Sequence, residues 1–321
     1  MVDGTLLRIV SRGSELALWQ ARAVGHALFD ADPAAEIRID VVKTVGDKIL
    51  DVPLAKIGDK GLFTKELDEA LLSGAADLAV HSLKDVPTRL PDGLVIAAIT
   101  EREDPRDVLI LPPGRAGSLA TLPAGARVGT SSLRRRAQLQ ARRPDLEVLD
   151  LRGNLNTRLA KLDRGDYDAI ILAAAGVLRL GWSDRIAESL DPAGWLPAVG
   201  QGALAVVARA GDEAVLQRLR PLHHEPTADA VIAERALLRA LEGGCQVPIG
   251  ALGGLLDGRL VLQGLVAAPD GGRILRTSLE GVPEDADALG RALAEALLLL
   301  GAGEILAQIR GDVPAADPGQ P

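Results

Sequence analysis

The sequence predicts an α/β protein: two similar doubly wound domains followed by a small α+β domain carrying a three-stranded antiparallel sheet. Three observations point there. The chain has 321 residues, more than one hydrophobic core usually serves. Short apolar runs alternate with segments of helical period through the first two thirds, the pattern of mainly parallel, helix-covered sheets. Two breaks, EREDPRD at 101–107 and PAVGQGA at 197–203, bracket one complete β-α-β series. The chain is therefore expected to leave domain 1 (1–100 with 201–221), build domain 2 (105–197) and return, leaving 222–321 as domain 3.

The elements follow in order. Residues 6–10 are an apolar run ending in the turn Ser11-Arg12-Gly13-Ser14, and 15–29 keep Leu16, Trp19, Ala23 and Ala27 on one helical face. Residues 36–43 alternate like a strand, 63–72 have the helical period, and 77–80 and 94–99 are short apolar strands. Past the first break, strands at 108–111, 127–129, 146–151 and 169–174 alternate with helical pieces, and 204–208 is strand-like again. A helix over 227–241 opens at Pro226 and closes at Gly243-Gly244. Two hairpin signals, Asp257-Gly258 and Asp270-Gly271, flank the apolar runs 260–266 and 274–279, and helices at 285–300 and 304–309 close the chain.

Composition narrows the function. Aromatics are only 2% of the chain, so the core rests on Leu, Val, Ile and Ala, and stacked-base recognition of nucleic acid is disfavoured. The net charge of -8 means that any anion site must be a local concentration of Arg and Lys. A single cysteine excludes an intramolecular disulfide and a multi-thiolate metal site, and no His or Cys spacing suggests a metal. Asp3, Arg8, Arg12 and Glu15 interrupt any signal-peptide core, and the apolar run 296–302 is too short to span a bilayer, so a cytoplasmic protein is expected.

Three motifs carry chemistry. In GTSSLRRR (129–136) a strand end and a Ser/Thr turn lead into a helix whose first turns hold arginines. Arginine there opposes the helix dipole, so a ligand such as carboxylate or phosphate is the better reason for it. Arg152 and Arg158 repeat the theme at the next strand end, and Arg12 with Ser14 lies at the equivalent point of domain 1. Against this stands a set of solvated surface arginines, the reading preferred for Arg136 and for Arg142-Arg143. In HSLKDVP (81–87) an apolar strand delivers His81, Ser82, Lys84 and Asp85 into a turn that Pro87 keeps from becoming helix. Asp85 is either a group that stabilises a developing cation or a turn-forming aspartate. In GGCQVPIG (243–250) the only thiol sits on a loop, so Cys245 is a reactive thiol or a buried small apolar residue. The sequence 200–205, GQGALA, approximates a dinucleotide fingerprint but lacks the strand-to-helix context. Taken alone, these features also suit a carboxylate- or phosphate-binding receptor, or a cysteine hydrolase using His81.

Eight segments in order, SRGSELALWQ, KGLFTKELDEALL, HSLKDVP, EREDPRD, GTSSLRRR, LRGNLNTRL, LPAVGQGA and LEGGCQVPIG, resemble the porphobilinogen deaminase (hydroxymethylbilane synthase) family over nearly the whole chain. The resemblance implies first and second domains similar to type II periplasmic binding proteins, and one dipyrromethane cofactor per chain, joined to Cys245 as a thioether. It implies a transferase of tetrapyrrole and heme biosynthesis that joins four porphobilinogen molecules head to tail, releasing ammonia at each addition and then linear hydroxymethylbilane. Each pyrrole carries an acetate and a propionate, so the growing oligopyrrole is a polyanion. Asp85 matches the catalytic aspartate. Lys84, Asp85, Ser132, Arg134, Arg135 and Arg152 match cofactor contacts. Arg12, Ser14, Thr130, Ser131, Arg152, Arg158 and Arg179 match substrate contacts, and Lys56, Lys60 and Phe63 match a lid loop. Gly13 departs from the family, many of whose members have a larger polar residue there. The resemblance further implies a monomer with no metal, nucleic-acid or membrane partner.

Overall fold

The computed structural model describes residues 6–44, 64–241 and 247–310. Its first sheet comprises β1 (Leu6–Arg12), β2 (Glu36–Val42), β3 (Leu78–Ser82), β4 (Leu94–Ile99) and β10 (Leu204–Arg209), in the order β2-β1-β3-β10-β4. Helices α1 (Glu15–Ala31) and α2 (Lys65–Leu72) cover it. Alternate residues of β1 feed opposite faces: Leu7 and Ile9 pack with Val24 and Leu28 of α1, while Val10 packs with Leu67 and Leu71 of α2. Full burial of a leucine such as Leu67 or Leu71 stabilises the fold by roughly 1.5–3 kcal/mol.

The second sheet holds β5 (Asp107–Ile110), β6 (Arg127–Gly129), β7 (Glu147–Leu149), β8 (Ala169–Ala173) and β9 (Ile186–Ser189), in the order β7-β6-β8-β5-β9. It carries α3 (Leu133–Arg142), α4 (Leu155–Asp163) and α5 (Ala174–Arg179). The two sheets repeat one plan, mainly parallel as expected, with a single reversed strand in each. β1 pairs in parallel with β2 and β3, and β6 with β7 and β8. β10 runs antiparallel to β3 and β4, and β5 antiparallel to β8 and β9. Each antiparallel strand is the one whose chain arrives from the other sheet. It has no covering helix to turn it round, so it enters the sheet from the opposite direction.

After α6 (Glu213–Leu219), α7 (Glu225–Ala240) starts with Pro226 in its first turn. The third sheet, β11 (Ile249–Leu256), β12 (Arg259–Ala267) and β13 (Ile274–Gly281), is antiparallel as expected. Asp257 and Gly258, both at positive φ, form the two-residue turn that places Leu256 opposite Arg259. Helices α8 (Ala286–Leu299) and α9 (Ala302–Arg310) complete this unit. At Gly290 a Cβ would stand 2.2 Å from the Ala233 carbonyl oxygen, so glycine there lets α8 lie close against α7. Among the described residues no single helix is long and apolar enough to cross a membrane.

One helical face differs from expectation. The buried side of α1 is Gln20, Ala21, Val24, Gly25 and Leu28, whereas Trp19 is 38% exposed. Trp19, Ala23 and Ala27 instead line a cavity of about 430 Å³ whose other walls include Thr100–Glu103 and Arg179. The small apolar stripe thus faces a cleft between the sheet units rather than a core.

Candidate active site

The site is built where β3 ends. Past Ser82 the chain makes a single 3-10 turn, Leu83–Asp85, and Pro87 prevents it from lengthening into a helix. The turn is tied down from several sides. Gln20 Nε2 donates to Ser82 Oγ at 2.8 Å, and Leu83 N to the Ala203 carbonyl at 3.0 Å. Arg235 of α7 donates to the Val86 and Pro87 carbonyls at 3.0 and 2.7 Å. The exposed Asp85 side chain therefore stands on a backbone with little freedom, as a catalytic carboxylate requires. Lys84 is half-buried and its Nζ donates to Gln201 Oε1 at 3.3 Å. Burial pushes the Lys84 ammonium down to about 8; Asp85 and Asp107 oppose that shift, and Arg135 and Arg134 reinforce it.

The arginine helix comes from the second sheet. Ser132 caps α3, its Oγ accepting from Arg135 N at 3.4 Å, so the two following arginines leave the first turn toward the sheet crossing. Sequence reasoning missed what they meet there. Asp107, fully buried at the start of β5, accepts from Arg134 Nη1 and Arg135 Nη2, both at 2.7 Å, from Trp195 Nε1 at 2.8 Å and from Gln201 Nε2 at 2.8 Å. Burial alone would raise its carboxyl, but the two guanidiniums outweigh that and hold it well below the usual carboxylate range. Arg134 also donates to the Leu196 carbonyl at 2.7 Å and is 4% exposed, so the structure places it chiefly in this ion-paired knot. Arg135 donates to the Ile171 carbonyl at 3.0 Å, yet its buried Nε has no hydrogen-bond partner.

Arg158, one turn into α4, donates from Nε to the Gly153 carbonyl at 2.8 Å. Burial lowers its guanidinium to about 10; Arg135 and Arg152 push the same way and Asp85 opposes them, so these four charges share one neighbourhood. Arg152 is half-buried, and no described residue hydrogen-bonds its guanidinium. The smaller polar residues each bond to the backbone. Ser14 Oγ caps α1 by accepting from Ala17 N at 3.3 Å. Ser131 Oγ donates to the Leu151 carbonyl at 2.8 Å, and Thr130 Oγ1 accepts from Ser132 N at 3.2 Å. Arg12 ends β1 half-buried, and its charge acts on His81.

Two further arginines tie neighbouring elements together. Arg179 lies over the Trp19 ring at 5.7 Å from its centroid and donates to the Gly202 carbonyl at 2.6 Å, so it bridges the sheet units. Arg143, expected as surface charge, donates to the Leu119 and Leu122 carbonyls at 2.6 and 2.7 Å and fastens the end of α3. At Gly13 an added Cβ would meet Val41 Cγ1 at 3.3 Å, a contact that needs only a small shift. Lys56, Lys60, Phe63 and Cys245 lie outside the described residues. Among the described residues no cluster of His, Cys, Asp or Glu offers a metal site.

The donor set fits a polycarboxylate. Lys84, Arg134, Arg135, Arg152 and Arg158 bring five positive charges against the two negative charges of Asp85 and Asp107. A dipyrromethane, with an acetate and a propionate on each ring, offers acceptors for that excess. The orphaned Arg135 Nε is a buried donor lacking an acceptor of this kind.

Two sheet units meeting at a buried ion-paired crossing, with cations and one exposed carboxylate on rigid turns, define a two-lobed α/β protein with a cationic cluster where its lobes meet. Comparison with known proteins makes this specific. Residues 7–240 match the family model "Porphobilinogen deaminase, dipyromethane cofactor binding domain", and residues 228–299 match "Porphobilinogen deaminase, C-terminal domain". The chain belongs to the porphobilinogen deaminase family. It is 59% identical to the porphobilinogen deaminase of Moorella thermoacetica, over 95% of this chain and 96% of that protein. Its identity to the porphobilinogen deaminase of Syntrophobacter fumaroxidans is 54%, covering 95% of this chain and 98% of that one. Among solved structures it is similar to the periplasmic VFT2 domain of Bordetella pertussis BvgS, with a TM-score of 0.42 and 17% identity over 69% of this chain and 88% of that one. It is likewise similar to the methionine-binding protein MetQ, with a TM-score of 0.42 and 14% identity over 68% and 91% of the two chains.

Proposed function

We propose that this chain joins porphobilinogen units head to tail on a dipyrromethane primer held by Cys245, and that its described residues divide the work by charge. The observation that carries the reading is the meeting of Lys84 and Asp85 from the first sheet with Arg135, Arg152 and Arg158 from the second. When bound, the dipyrromethane would supply the free pyrrole carbon to which the first substrate unit is joined, each later unit joining the end of the growing chain. Arg135 Nε, Lys84 and Arg152 hold its acetate and propionate groups, while the Ser132 hydroxyl caps the helix that carries Arg135. Arg134 supports Arg135 through their shared Asp107. Arg158, Arg152 and Arg12 take the acids of the incoming porphobilinogen, with Ser14, Thr130, Ser131 and Arg179 at the edges of the same cleft. Lys56, Lys60 and Phe63 form the lid.

Asp85 is the catalytic carboxylate. It accepts the substrate's pyrrole N–H and stabilises the positive charge that develops on the ring as ammonia leaves. Closure of the cleft excludes water, which strengthens that attraction. We infer three domains, 1–100 with 201–221, 105–197 and 222–321, and a cytoplasmic monomer with no nucleic-acid or membrane partner, in keeping with the net charge of -8. Asp85→Asn tests the catalytic role, since it preserves shape while removing charge. The variant is expected to keep its primer by intact mass and to lose roughly 10²–10³-fold in kcat. Turnover at the unsubstituted rate would make Asp85 a turn residue only.

A further inference from the structure

Gln201 belongs to no part of the reaction described so far, yet it touches its most exacting charges. It sits between Gly200 and Gly202, both at positive φ, and is 1% exposed. A Cβ at Gly202 would lie 2.3 Å from the Glu103 carbonyl oxygen, so only glycine lets the two crossing segments approach this closely. Gly200 N donates to Glu234 Oε2 at 2.6 Å, and Arg102 Nε to the Gln201 carbonyl at 2.7 Å, which pins the backbone on either side. The side-chain amide has one permitted orientation. Its Nε2 faces only acceptors, the Pro105 carbonyl at 2.8 Å, the Arg106 carbonyl at 3.3 Å and Asp107 Oδ1 at 2.8 Å. Oε1 must therefore face the other way, toward Lys84 Nζ at 3.3 Å.

The geometry points to Gln201 as a positioning residue that aims the Lys84 ammonium and keeps it from pairing with Asp107. A neutral acceptor fixes the lysine without consuming its charge. Asp107 stays committed to Arg134 and Arg135, and the remaining Lys84 donors stay available to the acid groups of the bound oligopyrrole. The inference rests on the proposed function for the identity of those acids, while the contact between Gln201 and Lys84 is a property of the chain itself.

The test uses the full chain with two substitutions, Gln201→Met, which removes the acceptor at nearly constant length, and Gln201→Glu, which replaces it with a carboxylate. The first readout is acylation of Lys84 by acetic anhydride as a function of pH, followed by peptide mass spectrometry. The charges facing Lys84 are Asp85, Asp107, Arg134 and Arg135, joined in the loaded chain by the acid groups of the primer, and none of them is altered by these substitutions. The labelling midpoint is expected to fall in Gln201→Met, where the ammonium loses its acceptor, and to rise in Gln201→Glu, where it gains a counter-charge. The second readout is a double-mutant cycle with Lys84→Met. Gln201→Met is expected to lower kcat/KM roughly tenfold or more in the native background, as for loss of a hydrogen bond to a charged group, and to have little further effect beside Lys84→Met. Unchanged labelling midpoints, or an equal loss of turnover in both backgrounds, would overturn the assignment. If Gln201→Met does not fold, an unmoved midpoint in Gln201→Glu overturns it alone. Intact mass separates the two readings, because a chain without a two-pyrrole adduct contradicts the proposed function whatever Lys84 does.

Discussion

Buried charge governs this protein residue by residue. Asp107 serves two guanidiniums, an indole and an amide at once, and removing one partner of such a knot leaves an uncompensated buried charge costing about 3–5 kcal/mol. His81 shows the opposite solution. It is 7% exposed, its Nε2 has no partner, and burial, with Arg12 adding to it, pushes its imidazole down to about 4, so it is neutral at physiological pH. In the unfolded chain its ordinary value is 6.5. Between those values the unfolded state binds more protons than the folded one, so stability falls as pH drops from 6.5 toward 4. Urea unfolding at pH 7 and pH 4.5 is expected to show this loss, at most about 3 kcal/mol from His81, and His81→Gln is expected to flatten that share of the slope. An equal pH dependence in the variant would refute the assignment. Sequence alone marked the arginines of 134–135 and the turn of 84–85. It did not mark Asp107 or Gln201, whose partners lie 27 to 117 positions away and reach them only through the crossing of the sheets. The two glycines around Gln201 were the one available signal, and they resembled a nucleotide motif.

At the scale of elements, strand ends and helix starts hold the chemistry. β3 runs into the turn of Asp85, and β6 into the cap of α3. Ser132 was expected to touch the cofactor, and its hydroxyl caps α3 in the structure. Ser132→Ala separates those roles. Loss of the cap alone is expected to cost about 1 kcal/mol in denaturant unfolding with the primer retained by mass. Loss of the primer at unchanged stability would assign the hydroxyl to the ligand instead. The strands themselves were legible, because apolar runs such as 78–80 and 94–99 are short and bounded by turn and charged residues. The reversal of one strand in each sheet was not. Whether β5 and β10 run parallel or antiparallel depends on how the chain crosses between sheets, which leaves no trace in local periodicity. The helical period of α1 was also clear, but the pattern named Trp19 and Ala23 as its packed face when that face lines a cleft.

The whole molecule joins three sheets through a buried polar chain. Glu234 of α7 accepts from Arg102 at 2.6 Å and from Gly253 N at 2.8 Å; Arg102 holds Gln201, and Gln201 joins Asp107 to Lys84. The acidic chain thus gathers its cations at the crossing, where each sheet contributes groups that none could place alone. The repeated plan of the first two sheets and the separate antiparallel third sheet were expected from the spacing of breaks and hairpin signals. The polar chain linking them was not, because Arg102 and Asp107 stood in a segment read only as a charged break and no motif marked Glu234 within its helix. The central claim is that this cationic cleft surrounds an oligopyrrole anchored on sulfur. The most direct measurement is the intact mass of the freshly prepared native chain beside Cys245→Ala. The account requires an added mass of two linked pyrrole units on the native chain, mapped to the peptide containing Cys245 and absent from the variant. An unmodified native chain, or an adduct that survives the substitution, would contradict it.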